Sequence, residues 1–284
     1  MKWSIWTAYL CECSFEEALL HLREVGLGHV EVSIEHMNEL LIRCYNAERE
    51  LDSVFAHRNE LARSFGVLTV DELRVRIKEL GMKLIQAHGP FDISEYSVSK
   101  AKRLEKLKLW FKLCNEIEVP VLVLHPLYKE DIVSNLDFFN KVSKIARDYG
   151  VFVAIENMGS GAKVGRSIEE LKRIIVESNK DYLGICLDTG HAYSTEIYRG
   201  HVEKAIYEAQ DLLIATHIND HNGKIDHLFP GKGKIRWNLV INAFKEIRYS
   251  KPLNLEVPTE RKGCRGVEEL KAKLKEFLAS WPQN

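Results

Sequence analysis

Six short apolar runs in this chain each end on a side chain that can bind a metal ion: Met82–His88, Val121–His125, Val151–Glu156, Tyr182–Asp188, Leu212–His217 and Leu253–Glu256. Runs of this length, rich in Val, Ile and Leu, read as strands buried on both faces, the pattern of a parallel sheet. Two earlier runs, Lys2–Tyr9 and His29–Ile34, bring the number of expected strands to eight. Helical sequence follows each strand, so strands and helices alternate from end to end. Eight parallel strands that close into a ring share one C-terminal rim. The six polar ends would therefore meet at one mouth. The expected fold is α/β, a (β/α)8 TIM barrel forming a single domain over residues 1–284, with an enlarged helical segment after the second strand.

The expected helices are Ser97–Ile117, Val133–Tyr149, Ser167–Ser178, His201–Gln210, Trp237–Tyr249 and Gly266–Trp281. Ser14 with Glu17 three residues on forms a capping-box pattern for a helix after the first strand. Gly26, Gly81, Gly150 and Pro120 punctuate helix-to-strand joins. The stretch from Glu35 to Gly81 holds more helical sequence than one crossover needs. There Leu40, Leu41, Cys44, Tyr45, Leu51, Val54, Phe55, Leu61 and Phe65 recur near helical spacing. It reads as one long helix or a helical hairpin beside the mouth, serving for packing, as a lid or as a subunit contact.

Net charge is −1, from 40 basic and 41 acidic residues. That balance provides no long-range attraction for polyanions, which disfavours a nucleic-acid partner without excluding a local basic cleft. No apolar stretch is long enough to span a bilayer and no charged-then-apolar leader opens the chain, so a cytoplasmic address and no membrane partner are expected. The six cysteines show no Cys-x-x-Cys spacing and are read as free thiols.

Glu156, Asp188 and Glu256 would place three carboxylates in one barrel mouth. A buried carboxylate is costly unless it is paired or coordinates a cation. One divalent ion removes the conflict, and His217 adds an imidazole nitrogen. This donor set suits Mn, Co, Mg or Zn. His88 and His125, each followed by a sharp turn, are open to three readings: ligands of a second metal ion sharing Glu156, hydrogen-bond partners of a substrate hydroxyl, or satisfied structural histidines. His191 should reach back over the mouth. His227 and Lys232 lie on a glycine-bounded loop that could meet a ligand from above. His21, His29, His36, His57, His201 and His221 read as surface or packing residues.

The motifs Ile155-Glu-Asn157, Leu187-Asp-Thr-Gly-His191, His217-Ile-Asn-Asp220, Pro230-Gly-Lys-Gly233 and Leu255-Glu-Val-Pro258 resemble the xylose isomerase-like barrel superfamily. That group includes sugar isomerases, ketose 3-epimerases, hydroxypyruvate isomerase, inosose dehydratase and the endonuclease IV repair enzymes. In its epimerase branch the positions of Glu156, Asp188, His217 and Glu256 bind one divalent ion, and the two glutamates exchange protons with the sugar. His191 would bind substrate oxygen. His227 falls where that branch often carries Arg. In the endonuclease IV branch the positions of His88, His125, Glu156, Asp188, His191, His217, His227 and Glu256 help hold three zinc ions. That branch also needs an Asp where this chain has Ile225, with Asp226 one residue out of step.

The resemblance thus implies a metal-dependent isomerase or epimerase of a sugar or sugar phosphate. Glu156 and Glu256 would be catalytic, His88, His125, His191 and His227 would bind substrate, and the chain could form a homo-oligomer. A zinc-dependent abasic-site phosphodiesterase is the alternative, and a barrel that binds without turnover a third.

Overall fold

The computed structural model describes residues 1–47, 59–93, 100–178, 180–257 and 267–281. The eight expected strands are all present: β1 Trp3–Trp6, β2 His29–Val32, β3 Lys83–His88, β4 Val121–Leu124, β5 Phe152–Glu156, β6 Leu183–Asp188, β7 Leu213–His217 and β8 Leu253–Leu255. They run parallel in the order β7-β6-β5-β4-β3-β2-β1-β8. The ring closes between β7 and β8, where Ile218 pairs with Leu255. There the Ile218 N–H donates to Asn254 O at 2.6 Å and the Glu256 N–H to Ile218 O at 3.1 Å. The chain therefore folds as a single-domain barrel of eight parallel strands.

Among the described residues the helices are α1 Phe15–Glu24, α2 Ile34–Tyr45, α3 Asn59–Ser64, α4 Val70–Glu79, α5 Lys100–Glu116, α6 Ile132–Tyr149, α7 Ile168–Glu177, α8 Thr189–Ser194, α9 Val202–Ala209, α10 Trp237–Glu246 and α11 Val267–Ser280. None is long and apolar enough to cross a membrane. The Ser14–Glu17 capping box starts α1, with both reciprocal hydrogen bonds made. Thr69 with Glu72 and Ser167 with Glu170 do the same for α4 and α7. Gly150 adopts φ 66° to end α6, a left-handed conformation that glycine reaches without steric cost.

One expectation is narrowed and another needs correction. Of the two readings of the enlarged helical segment after β2, one long helix is excluded: α2, α3 and α4 are separate, and Leu51, Val54 and Phe55 lie outside the described residues. Asn46 at φ 54° turns the chain out of α2, which breaks the helical periodicity. The reading of all cysteines as free thiols fails. Cys13 is disulfide-bonded, whereas Cys11, Cys44, Cys114 and Cys186 are not in disulfides and Cys264 lies outside the described residues.

The main core lies between the strands and the surrounding helices and includes Trp110, Phe111, Phe139, Ile174 and Phe244. A second, smaller cluster of Val121, Val123, Ala154, Cys186 and Ala215 fills one half of the barrel interior. Polar side chains fill the other half: Ser4, Glu31, Gln86 and Asn254, all buried. A strand alternates its side chains between faces, so each of these lies two residues before a residue at the rim. The interior thus narrows from a charged mouth to a floor that is polar below β8, β1, β2 and β3 and apolar below β4 to β7.

Candidate metal centre

Strands β5 to β8 end where a polar side chain enters the mouth. Glu156, Asp188 and His217 are the last residues of β5, β6 and β7, and Glu256 directly follows β8. All four are buried. One ligand atom from each lies within 4.8 Å of those of the other three. His217 Nδ1 stands 3.2 Å from Glu156 Oε2 and 3.1 Å from Glu256 Oε2. The other ring nitrogen, Nε2, lies 3.0 Å from Glu31 Oε1 and donates its proton there. Nδ1 then faces two carboxylate oxygens, where it can hold either a proton or a metal ion. Those three atoms, Glu156 Oε2, His217 Nδ1 and Glu256 Oε2, are buried and make no hydrogen bond. Three electron-rich atoms at such distances repel unless a positive charge lies among them.

Without a metal ion between these atoms, a proton is the cation that offsets them: burial opposes charge on His217, yet Cys186, Glu256, Glu31 and Glu156 hold its pKa well above the ordinary value, and a metal ion binding at Nδ1 displaces that proton. Burial alone would raise the Glu156 carboxyl, but His217 and His125 hold it well below the usual carboxylate range. Glu256 moves the other way, because burial outweighs His217 and His227 and pushes it up. The buried cluster of three carboxylates and one imidazole is consistent with a divalent metal site.

Asp188 is held on every side. Its Oδ1 caps α8 by accepting the His191 N–H at 2.6 Å, and its Oδ2 accepts from Asn219 Nδ2 at 2.8 Å. Asn157 clamps its backbone, accepting from the Asp188 N–H at 2.7 Å and donating to its carbonyl at 3.0 Å. Gly190 makes this possible, since a Cβ there would overlap Asn219 Oδ1. The Asp188-Thr-Gly-His191 and Ile155-Glu-Asn157 patterns are therefore one interlocked support.

The four substrate-binding candidates surround this cluster. His88 donates from Nδ1 to Gly89 O at 2.8 Å and turns Nε2 toward Glu156 Oε2, 3.6 Å away. It forms a ligand group with Glu156 and His217. His125 Nε2 stands 3.2 Å from the same oxygen, although His125 is in none of the ligand groups among the described residues. Burial lowers its pKa, whereas the Glu156 carboxylate reverses the burial effect at His88 and raises that one. His191 Nδ1 lies 3.0 Å from Asn157 O and 3.2 Å from Glu156 Oε1. Burial opposes its charge, but Asp188 and Glu156 raise its pKa to about 10. His227 stacks on Trp6 with ring centroids 6.4 Å apart, and its Nε2 is 3.5 Å from Glu256 Oε2. Asp188, His191 and His227 make a further ligand group. Asp226, the residue out of step in sequence, brings its Oδ1 to 3.1 Å from His227 Nδ1. Lys232 does not join these groups; its Nζ lies 3.7 Å from Glu276 on α11.

Sequence reasoning missed two supports. Asp220, fully buried, staples the loop that carries His227. Its Oδ1 accepts the N–H groups of His221 at 2.8 Å and Ile235 at 3.1 Å. Its Oδ2 accepts those of Gly231 and Gly233 at 2.9 Å and Trp237 Nε1 at 2.8 Å. A Cβ on Gly233 would collide with that carboxylate, which explains the second glycine of Pro230-Gly-Lys-Gly233. The other is Glu31, whose only sequence signal is a charge between two valines in β2. His36, read as a packing residue, is indeed buried, with Nδ1 2.8 Å from Thr7 Oγ1.

Relatives agree with this architecture. An uncharacterised protein of Methanocaldococcus jannaschii is 29% identical over 212 residues, 68% of this chain and 70% of the relative. A probable endonuclease 4 of Malacoplasma penetrans is 28% identical over 214 residues, 66% of this chain and 74% of the relative. Among solved structures, the IOLI protein with a bound zinc atom superposes with TM-score 0.75 at 18% identity, covering 100% of both chains. D-psicose 3-epimerase, solved in the presence of D-fructose, gives 0.74 at 19% identity, over 98% of this chain and 97% of that one. At such identity the two structures speak for the fold alone. A family model described as the xylose isomerase-like TIM barrel matches residues 19–281. The chain belongs to the xylose isomerase-like TIM barrel family.

Proposed function

We propose that this protein is a metal-dependent isomerase or epimerase of a small hydroxy-carbonyl compound, a ketose or its phosphate, and that Glu156, Asp188, His217 and Glu256 hold one divalent ion. The observation that carries the reading is the pair Glu156 Oε2 and Glu256 Oε2, both buried, both without a hydrogen bond, and both facing His217 Nδ1. Bound there, the ion supplies Lewis-acid polarisation of a carbonyl, which acidifies the neighbouring C–H. Glu156 and Glu256 come from different sides of the ring of strands, β5 and β8. A substrate lying between them presents its carbon to one carboxylate for proton removal and to the other for return. The intermediate is an enediolate: proton return to the same carbon on its opposite face gives the epimer, and return to the former carbonyl carbon gives the isomer. His191, fixed by Asn157 O, and His88, fixed by Gly89 O, are pre-oriented to meet substrate oxygens.

The experiment is solvent exchange. With a set of ketoses and ketose phosphates in deuterated water, the metal-loaded protein incorporates deuterium beside the carbonyl of its substrate. Glu256→Gln abolishes that exchange while the ion stays bound. Full exchange in the variant refutes the role of Glu256. A second reading, zinc-dependent cleavage of abasic DNA, is favoured by the two extra ligand groups, His88–Glu156–His217 and Asp188–His191–His227, and by the endonuclease 4 relative. It requires three tightly held zinc ions and incision of an abasic duplex in place of sugar exchange.

A further inference from the structure

Glu31 lies in the barrel floor, one layer below the mouth, with no surface exposed. An isolated buried carboxylate in a barrel interior is costly, so its surroundings should show what offsets that cost. Both oxygens are engaged. Oε1 accepts from His217 Nε2 at 3.0 Å. Oε2 accepts from Asn254 Nδ2, and Asn254 Oδ1 in turn accepts the Ser4 hydroxyl at 2.7 Å. The Asn254 backbone N–H donates to Thr216 Oγ1 at 3.1 Å, beside His217. Asn254 has donor and acceptor both used in this orientation, so it can meet only an acceptor at Glu31. The pairing of β2 with β3 also shifts register between Val30 and Glu31. Such an irregularity re-aims one side chain at the expense of ladder regularity.

We infer that Glu31 is the positioning residue of the metal centre: its carboxylate fixes the proton of His217 on Nε2, so that Nδ1 is held as a lone-pair donor aimed between Glu156 and Glu256. The inference rests on the metal-binding reading above but not on any substrate. Without Glu31, His217 would be free to carry its proton on Nδ1, the nitrogen that must be bare to bind an ion. A carboxylate behind a ligating imidazole also raises its basicity as a donor, and such partners are commonly worth 10- to 100-fold in metal affinity. The same negative charge lies outside the ligand set, so it strengthens the site without occupying a coordination position.

Calorimetric titration of the chelator-treated full chain with Mn and Zn tests this without any assay of activity. Glu31→Gln keeps the shape and one acceptor but removes the charge. It should weaken binding of both ions by roughly 10-fold or more. Glu31→Asp, which restores the charge, should recover part of that loss. Ser4→Ala loosens the same hydrogen-bond chain while leaving Glu31 intact, and should bind metal as the natural protein does. Affinity unchanged in Glu31→Gln overturns the inference. So does an equal loss in Ser4→Ala, which would mark the network as structural only. If Glu31→Gln does not fold, the Glu31→Asp and Ser4→Ala pair decides: weakened binding in the first and not in the second supports the inference, and equal behaviour overturns it. A natural protein that binds no divalent ion sinks the proposed function itself and this inference with it, whereas loss of deuterium exchange alone touches only the former.

Discussion

Asp220→Asn should unfasten the loop that carries His227 over the mouth. In the natural protein five N–H groups share one buried carboxylate: two on Oδ1, from His221 and Ile235, and three on Oδ2, from Gly231, Gly233 and Trp237. An amide has one acceptor oxygen, so at least two donors must face an NH2 group whichever way Asn turns. A buried donor left unmatched costs about 1–3 kcal/mol, and hydrogen bonds to a neutral acceptor are weaker than those to a charged one. Gly231 and Gly233 lie near enough to solvent for water to replace part of that loss, whereas His221, Ile235 and the Trp237 indole are buried. The net expectation is a loss of about 3 kcal/mol, a large share of the ~5–15 kcal/mol that typically separates folded from unfolded. Urea unfolding reads it as a lowered midpoint at unchanged slope. Because His227 rides on the same loop, kcat/KM for any substrate should fall as well. A loss below about 1 kcal/mol would show that the loop does not depend on this carboxylate.

Two further outcomes are expected. Gly190→Ala should drive its new Cβ into Asn219, release Asp188 Oδ2, and weaken divalent-metal binding roughly 10-fold by titration; unchanged affinity would show that Asn219 is not needed to hold Asp188. Glu39 on α2 gives a pH test away from the centre. Burial pushes its carboxyl up to about 7 despite the Phe15 N–H and Arg43. The folded chain then binds this proton more tightly than the unfolded one. The group's contribution is present below about pH 4.5 and lost as pH rises through 7, by about 3 kcal/mol in all. Relative to Glu39→Gln, the natural protein should lose stability between pH 5 and pH 8 in urea unfolding, and a gap that is flat or grows with pH would refute the shift.

Much of this was legible in the sequence because the strands are buried on both faces. A run such as Val121-Leu-Val-Leu stops abruptly at a polar residue, and that boundary is also where a barrel strand meets its mouth. His88, Glu156, Asp188 and His217 could therefore be placed at strand ends before any coordinates. The helix starts were readable for a local reason: Ser14 and Ser167 each find their Glu three residues on. What stayed hidden depends on distant partners. Glu31 meets His217 186 residues away and Asn254 223 residues away. Within β2 nothing separates an inward-pointing glutamate from one facing solvent. Asp220 has the same character, since a carboxylate that accepts five N–H groups reads in sequence as one more loop aspartate. In the helical segment after β2, periodicity left one long helix and a hairpin both open, and the left-handed turn at Asn46 that ends α2 decides against the first. The disulfide at Cys13 left no local trace at all.

Metal content per chain, measured by elemental analysis after purification without chelators, tests the central claim most directly. The account expects one divalent ion per chain, absent from a variant in which Asp188 and His217 are both replaced by Ala. No bound ion in the natural protein, or an ion retained at full stoichiometry by that double variant, would contradict the assignment of Glu156, Asp188, His217 and Glu256 as its ligands.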